Sequence, residues 1–254
     1  MNVAITFSFN QKYIKYCYAL CNSIISNVKT KHTVYARCVN VCDTDVQQLR
    51  SKYPDYTFIQ DNKNLGTELA YNKKEIPANT NIVKSVIYDR AARKKLIKNN
   101  EYKHDVCVSK YSEEIVYTCH SRFANILELT EQDVIICLDV DSIFNKDINL
   151  LLNDIVDYDV MIYTDHTGNC NEEGTLILNC TSDTLRYIRK VWSDIQHDKH
   201  DWDVDGKSLT KHLPIVKRKQ LDLHLYKNKS FDPEAVIWSG DSHVKNDIRY
   251  KELL

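Results

Sequence analysis

Residues 134–141, Val-Ile-Ile-Cys-Leu-Asp-Val-Asp, join five consecutive apolar residues to two aspartates that are two positions apart. An unbroken apolar run of this kind is typical of a strand buried on both faces of a sheet. Residues two apart on an extended chain point to the same side, so Asp139 and Asp141 should converge where the strand ends. Open α/β sheets bind ligands at that edge, and paired carboxylates suit Mg²⁺ or Mn²⁺. We therefore predict a divalent-cation site at these two residues.

The spacing D-x-D is a weak signal by itself, because it occurs five times in the chain. The other four pairs lie in polar turns or at helix starts, where carboxylates often act as caps: Asp43/Asp45, Asp157/Asp159, Asp201/Asp203 and Asp203/Asp205. A capping role therefore stays open for Asp139 and Asp141 as well.

A second candidate metal site includes two of these pairs. Residues 201–206, Asp-Trp-Asp-Val-Asp-Gly, match the first half of a calcium-binding loop. Such a loop closes with a bidentate Glu at position 12, where this chain has His212. A non-catalytic calcium-binding or interaction domain around Asp201–Gly206 is the resulting alternative function.

Apolar, strand-like segments alternate with helical periodicity on both sides of residues 134–141. Strands are expected at 3–9, 33–41, 56–60, 134–138, 160–163, 175–179 and 235–238. Helices are expected at 12–25, 44–52, 82–99, 113–129, 184–195 and 203–212, with Ser182 or Asp183 as the cap of the fifth. Residues 62–81 are polar and expected to be irregular. This alternation predicts one α/β domain over residues 1–254, with a mostly parallel central sheet flanked by helices.

Composition excludes several classes of protein. The chain of 254 residues carries 34 basic and 35 acidic residues, which lacks the electrostatic footprint of a general nucleic-acid binder. Only five glycines are present, and none form G-x-G-x-x-G or a P-loop. No run of 18 apolar residues predicts a membrane span. The nine cysteines contain no C-x-x-C, which favours reduced thiols and a cytoplasmic location.

Six blocks of sequence carry a resemblance to a known family. They are Ala4–Tyr13, Tyr117–Phe123, Asp139–Asp141, Glu173–Asn179, Asp205–Leu209 and Trp238–Lys245. Together they resemble the GT-A nucleotide-sugar glycosyltransferases, most nearly the family 8 type that includes glycogenin-like and bacterial galactosyltransferase-like enzymes. The resemblance covers about residues 2–245 and implies a single GT-A (Rossmann-like) domain. Its nucleotide-binding half would span about 1–141 and its acceptor and sugar half about 142–254.

The resemblance implies a role for individual residues. The base and ribose of the donor would lie against Thr6, Phe7, Ser8 and Asn10, the last of which stands where the family usually has Asp. The metal ligands would be Asp139, Asp141 and His243, and the further nucleotide contacts Arg122, Val140 and Lys245. The donor sugar would lie near Asp139, Gly174 and Asp205, with Asp205 positioning it or assisting at the anomeric carbon. Glu172 and Gly206 depart from the family pattern, which has Asn and Gln there.

The activity implied by this resemblance is a metal-dependent transfer of a sugar. The donor would be a nucleotide sugar, expected to be a UDP-sugar, and the cofactor Mn²⁺ or Mg²⁺. The acceptor would be a glycan, a protein or a small molecule, and the anomeric configuration would be retained. A composition rich in Asn, Lys, Ile, Tyr and Asp is typical of an AT-rich genome such as that of a virus, phage or low-GC microbe. For a viral protein the expected location is the host cytoplasm.

Simpler roles and one further activity remain open. Arg122 could pair with Glu114 or Glu128 on a helix surface, Asp205 could cap a helix, and His243 could lie in an exposed loop. Nucleotidyl transfer shares the sheet and the metal, but it usually needs a glycine-rich phosphate loop after the first strand. Residues 8–12, Ser-Phe-Asn-Gln-Lys, contain no glycine.

Overall fold

The structure is a computed structural model of the 254-residue chain. It describes residues 1–65, 69–71, 108–170, 174–198, 203–224, 226–228, 232–239, 248–252 and 254. The predicted basic helix at 82–99 lies outside these residues.

Seven strands form the central sheet in the order β10-β8-β9-β6-β1-β2-β3. Their bounds are β1 Val3–Asn10, β2 His32–Val39, β3 Thr57–Asp61, β6 Val134–Leu138, β8 Val160–Ile162, β9 Thr175–Asn179 and β10 Arg218–Gln220. Strand β9 runs antiparallel to both of its neighbours, and the other neighbouring strands are parallel. The mostly parallel sheet predicted from the sequence is therefore confirmed.

Five further strands form two small sheets among the described residues. They are β4 Leu69–Tyr71, β5 Val108–Ser112, β7 Ser142–Phe144, β11 Lys227–Asn228 and β12 Ile237–Ser239. Strands β4 and β5 pair antiparallel, whereas β7 pairs with β12, which also pairs with β11. Strand β4 corrects the expectation that 62–81 is wholly irregular. A strand of three residues is too short to show a period of two, so its pairing with β5 defines it.

Helices cover both faces of the central sheet. The described ones are α1 Ile14–Asn27, α2 Asp43–Lys52, α3 Glu113–Glu128, α4 Asn149–Ile155, α5 Ser182–His197, α6 Val204–His212 and α7 Ile248–Lys251. Short 3₁₀ turns at Gln11–Tyr13 and Leu213–Ile215 adjoin α1 and α6. No helix in the described ranges has an apolar stretch long enough to cross a bilayer.

Alternation along β6 connects the two halves of the apolar core. Ile136 and its alternate neighbours pack with α1, α2 and α4, whereas Ile135 and Cys137 pack with α3, α5 and α6. The residues of β6 are fully buried, as expected of a strand with helices on both faces. The even positions of β1 face the same side as Ile135, because Ala4 belongs to that cluster while Phe7 belongs to the other.

The cap of α5 differs from the sequence prediction. The N-cap is Thr181, whose Oγ1 accepts a hydrogen bond from the backbone N–H of Thr184 at 3.2 Å. The same hydroxyl donates to Asp159 Oδ1 at 2.6 Å, which fixes it between the helix and the residue that precedes β8. Ser182 and Asp183, predicted as caps, are instead the first two helical residues and are exposed.

Replacing the hydroxyl of Thr181 should destabilise the protein. Loss of a side-chain N-cap costs about 0.5–2 kcal/mol. We therefore expect Thr181→Ala to lower the free energy of unfolding by this amount in urea denaturation. Thr181→Ser keeps a capping hydroxyl and should retain most of the wild-type stability. Ser182→Ala is the matched control, and it should change stability little. Equal losses for Thr181→Ala and Ser182→Ala would contradict the assigned cap.

Candidate active site

A cavity of about 300 Å³ opens at the carboxyl ends of β1 and β6, between α3 and the start of α6. The described residues that line it include the polar side chains of Ser8, Asn10, Tyr13, Thr118, Arg122, Asp139, Asp141, Asp203 and Asp205. Val140 and Gly174 also line it. The charged groups are four carboxylates and one guanidinium, so the described lining is strongly acidic.

The segment after β6 turns sharply into the cavity. The backbone N–H of Asp139 donates to the carbonyl of Gly174 at 2.7 Å, and the N–H of Ser142 donates to the carbonyl of Asp139 at 3.1 Å. The side chain of Asp139 is 41% exposed. Both Asp139 and Asp141 line the cavity, and the buried Val140 lies between them in a turn rather than in the extended segment that the prediction assumed.

Arg122 is a buried cation held between two carboxylates. It projects from α3, where Nη1 lies 2.7 Å from Asp139 Oδ1 and Nη2 lies 2.9 Å from Asp205 Oδ2. Burial opposes its charge, but the carboxylates of Asp139 and Asp205 outweigh this and hold the pKa of Arg122 above its usual range. The alternative of a surface pair with Glu114 or Glu128 is therefore wrong.

Asp205 lies one residue inside the first turn of α6, and the N-cap position belongs to Asp203. The Asp205 carboxylate also accepts the backbone N–H of Gly206 at 2.9 Å, and His120 Nε2 lies 3.8 Å from its Oδ1. Burial opposes the charged form, yet His120, the charge of Arg122 and the Gly206 N–H together lower the pKa of Asp205 to about 2. Asp205 is therefore an ionised side chain directed at the cavity, and more than a helix cap.

The residues predicted at the nucleoside end divide between cavity and core. Ser8 and Asn10 line the cavity, whereas Thr6 and Phe7 are fully buried beside it. Phe7 packs in the apolar cluster on the opposite face of the sheet. Thr6 Oγ1 donates to the carbonyl of Tyr35 at 2.8 Å. The structure thus places two of these four side chains at the site and two behind it.

Two side chains of α3 that the sequence analysis did not assign to the site support this end of the cavity. Asn125 Nδ2 lies 3.1 Å from Thr6 Oγ1, 3.1 Å from the carbonyl of Phe7 and 3.3 Å from Ser8 Oγ. Glu114 accepts Asn10 Nδ2 at 2.7 Å. One feature of the sequence could have indicated Asn125. Thr118, Arg122 and Asn125 are polar residues spaced by four and three, which places them together on the buried stripe of an amphipathic helix.

Two predicted site residues, His243 and Lys245, lie outside the described residues, as do Glu172 and Glu173. In the described ranges, no group of three or more His, Cys, Asp or Glu side chains is placed to hold a metal ion. Asp139 and Asp141, without a third protein ligand, fit the pattern of a Mg²⁺-type site. In such a site one or two carboxylates bind the ion, and water and substrate phosphates complete its coordination.

The calcium-loop alternative does not agree with the local backbone. Gly206, which should make the sharp turn of such a loop, is within α6, and Asp205 is bound by Arg122. His212, at the closing position, has Nε2 2.9 Å from Asp194 Oδ2 on α5. Asp201 and Trp202 lie outside the described residues.

Comparisons with known proteins identify the fold. Searches against protein-family models and curated protein sequences give no match. Among solved structures, the galactosyltransferase LgtC in complex with donor and acceptor sugar analogues is similar with a TM-score of 0.50 at 14% identity, covering 100% of this chain and 95% of that one. The apo form of the glycosyltransferase GlyE of Streptococcus pneumoniae TIGR4 also has a TM-score of 0.50 at 14% identity, covering 88% of this chain but only 46% of its own. The chain therefore has the GT-A fold of these glycosyltransferases.

Asp205 should make stability depend on pH in the acid range. Its pKa of about 2 lies below the ordinary value of 3.8, so the ionised carboxylate stabilises the fold above about pH 4 and this contribution is lost as the pH falls toward 2. The shift corresponds to about 2 kcal/mol. We expect Asp205→Asn to be less stable than the wild type at neutral pH and to lose less stability on acidification in urea denaturation. Asp157→Asn, an exposed position away from the cavity, controls for the loss of one charge. Parallel acid profiles for the wild type and Asp205→Asn would exclude this role.

Proposed function

We propose that this protein is a metal-dependent glycosyltransferase that uses a nucleotide sugar as donor. The family resemblance makes a UDP-sugar the proposed donor. The observation that carries the proposal is the position of Asp139 and Asp141 at the carboxyl edge of a GT-A sheet, with Arg122 between Asp139 and Asp205. Ligands of open α/β sheets bind at this edge.

The charge of the cavity is the physical reason for proposing a cation. A diphosphate is an anion, and the described lining already holds four carboxylates against one guanidinium. Both terminal nitrogens of Arg122 are engaged by carboxylates, so its charge is largely neutralised. Asp139 and Asp141 would hold Mn²⁺ or Mg²⁺, which as a Lewis acid stabilises the negative charge that develops on a departing diphosphate.

The protein's own residues would then have distinct tasks. Ser8 and Asn10 would face the nucleoside, while Thr6 and Phe7 would support their strand from the core. Asp205, ionised and fixed by Arg122, would orient the hydroxyls of the donor sugar near Gly174. We further propose that His243 is the third metal ligand and that Lys245 binds the β-phosphate.

The acceptor half of the site is proposed on more general grounds. A glycan, a protein or a small molecule would approach from the side of Asp203 and Asp205, where a second groove adjoins the cavity through Asp203. Retention of the anomeric configuration is part of the proposal, because the sequence resembles the family 8 glycosyltransferases, and that resemblance implies retention. The stereochemistry is measured by ¹H NMR of the first-formed product.

The structure gives less support to nucleotidyl transfer than to sugar transfer. Strand β1 continues to Asn10 and passes directly into the 3₁₀ turn at Gln11–Tyr13 and then α1. No glycine-rich phosphate loop separates β1 from α1.

Nucleotide binding is expected to require both a divalent cation and Asp141. Calorimetry should show UDP binding with Mn²⁺ and little binding in EDTA. Asp141→Asn should weaken the metal-dependent binding by at least about 100-fold, more than the 10- to 100-fold typical of an outer-shell partner. Asp157→Asn removes an exposed aspartate from another D-x-D pair and should bind as the wild type does. UDP binding that is equally tight in EDTA would refute the role of the metal.

Slow donor hydrolysis would identify the sugar. A panel of UDP- and GDP-sugars incubated with Mn²⁺ should reveal one donor that is cleaved to the free nucleoside diphosphate. Asp205→Asn should lower this rate by about 100-fold or more, because it weakens the fixed electrostatics at the sugar. Hydrolysis of no donor, together with absence of UDP binding, would refute the proposal.

A further inference from the structure

The strand that follows Asp141 is held by the C-terminal part of the chain. Strand β7 begins at Ser142 and pairs antiparallel with β12, where Ser142 lies opposite Ser239 and Ile143 opposite Trp238. Trp238 and Ile143 are buried in a small apolar cluster that is separate from the two main ones. The position of the second aspartate thus depends on residues about a hundred positions later in the chain.

Tyr250 on α7 reaches back to Asp141 itself. Its hydroxyl donates a hydrogen bond to the backbone carbonyl of Asp141 at 2.8 Å. The ring is fully buried and meets Trp238 edge-to-face, with centroids 5.1 Å apart and an interplanar angle of 86°. Tyr16 of α1 packs on the same ring at 6.1 Å. Rings packed in this way leave the hydroxyl little freedom to move from the carbonyl.

The two aspartates are therefore positioned by different parts of the molecule. Asp139 is fixed through its side chain by Arg122 and through its N–H by Gly174. Asp141 is fixed through its carbonyl by Tyr250. A carbonyl and a side chain share one Cα, so an anchored carbonyl restricts the direction in which the carboxylate of Asp141 leaves the backbone. Metal ligands must be held to within about 0.5 Å for tight binding.

We propose that Tyr250 is a positioning residue for the metal ligand Asp141, and that α7 supports the cation site through the Tyr250 hydroxyl. This inference rests on the proposed function, because it takes Asp141 as a metal ligand. It goes further in assigning a task to the C-terminal helix, which contributes none of the described residues that line the cavity.

Tyr250→Phe tests the inference, because it removes the hydroxyl and keeps the ring against Trp238. The probe is Mn²⁺ alone, titrated into the intact chain and followed by the electron paramagnetic resonance signal of free Mn²⁺. We expect Mn²⁺ binding to weaken about five- to tenfold, the equilibrium effect of losing one hydrogen bond of ordinary strength. The spectrum of bound Mn²⁺ should also broaden, since the ligand geometry becomes less uniform.

Tyr53→Phe is the matched control. Tyr53 is also buried, and its hydroxyl donates to Asn22 Oδ1 at 2.8 Å, between α1 and the end of α2. It should lose a similar amount of thermal stability without any change in Mn²⁺ affinity. Unchanged Mn²⁺ affinity in Tyr250→Phe, or an equal loss in Tyr53→Phe, would overturn the inference.

The outcome is separable from that of the proposed function. If Mn²⁺ binding weakens in Tyr250→Phe but the wild type binds no UDP, the positioning role stands and the glycosyltransferase proposal fails. If UDP binding depends on Mn²⁺ and both variants bind the ion as the wild type does, the proposed function stands and the role of Tyr250 fails. A wild type that binds Mn²⁺ neither alone nor together with UDP would overturn both.

Discussion

The pairing of Arg122 with Asp139 and Asp205 is the constraint on which the site depends. One buried guanidinium joins three parts of the chain: the middle of α3, the end of β6 and the first turn of α6. A buried carboxylate such as Asp205 is costly without a partner, and removing one member of such a pair leaves an uncompensated charge. The second half of the chain is therefore held over the strand ends by electrostatics as well as by apolar packing. Both terminal nitrogens of Arg122 are engaged by carboxylates, and this is the reason for including a divalent cation in the proposed function.

Strand parity explains part of the cavity lining. On β6 the odd positions Ile135 and Cys137 face α3, and Asp139 continues that parity directly to Arg122. On β1 the even positions Ser8 and Asn10 face α3 and line the cavity, so Phe7 has to face the opposite side. Parity does not decide the lining alone, because Phe9, which packs in the same cluster as Phe7, also lines the cavity at the end of the strand.

Local patterns in the sequence predict much of the fold. The features that they do not predict depend on contacts between residues far apart in the chain. The predicted limits of β6 and β9 agree with the structure residue for residue, because apolar β-branched runs bounded by polar residues leave little ambiguity. The pairing of Arg122 with Asp205 spans 83 positions and that of Tyr250 with Asp141 spans 109. No periodicity encodes such contacts, so the sequence could nominate Arg122 and Asp205 only through resemblance and could not nominate Tyr250 at all. The helix cap was missed by one residue because Thr181, Ser182 and Asp183 are all good capping types.

The two carboxylates of the D-x-D segment are not equivalent, although the spacing alone makes them look so. Asp139 Oδ1 accepts a hydrogen bond from Arg122 Nη1 at 2.7 Å. Asp141 is held through its backbone and lies beyond the turn closed by the bond from Ser142 to Asp139. The two aspartates therefore have different surroundings: Asp139 pairs with a buried guanidinium through its side chain, whereas Asp141 accepts the hydroxyl of Tyr250 at its backbone carbonyl. This asymmetry follows from the position of one arginine, because without Arg122 the acidic pair would face the cavity with two similar, mutually repelling charges.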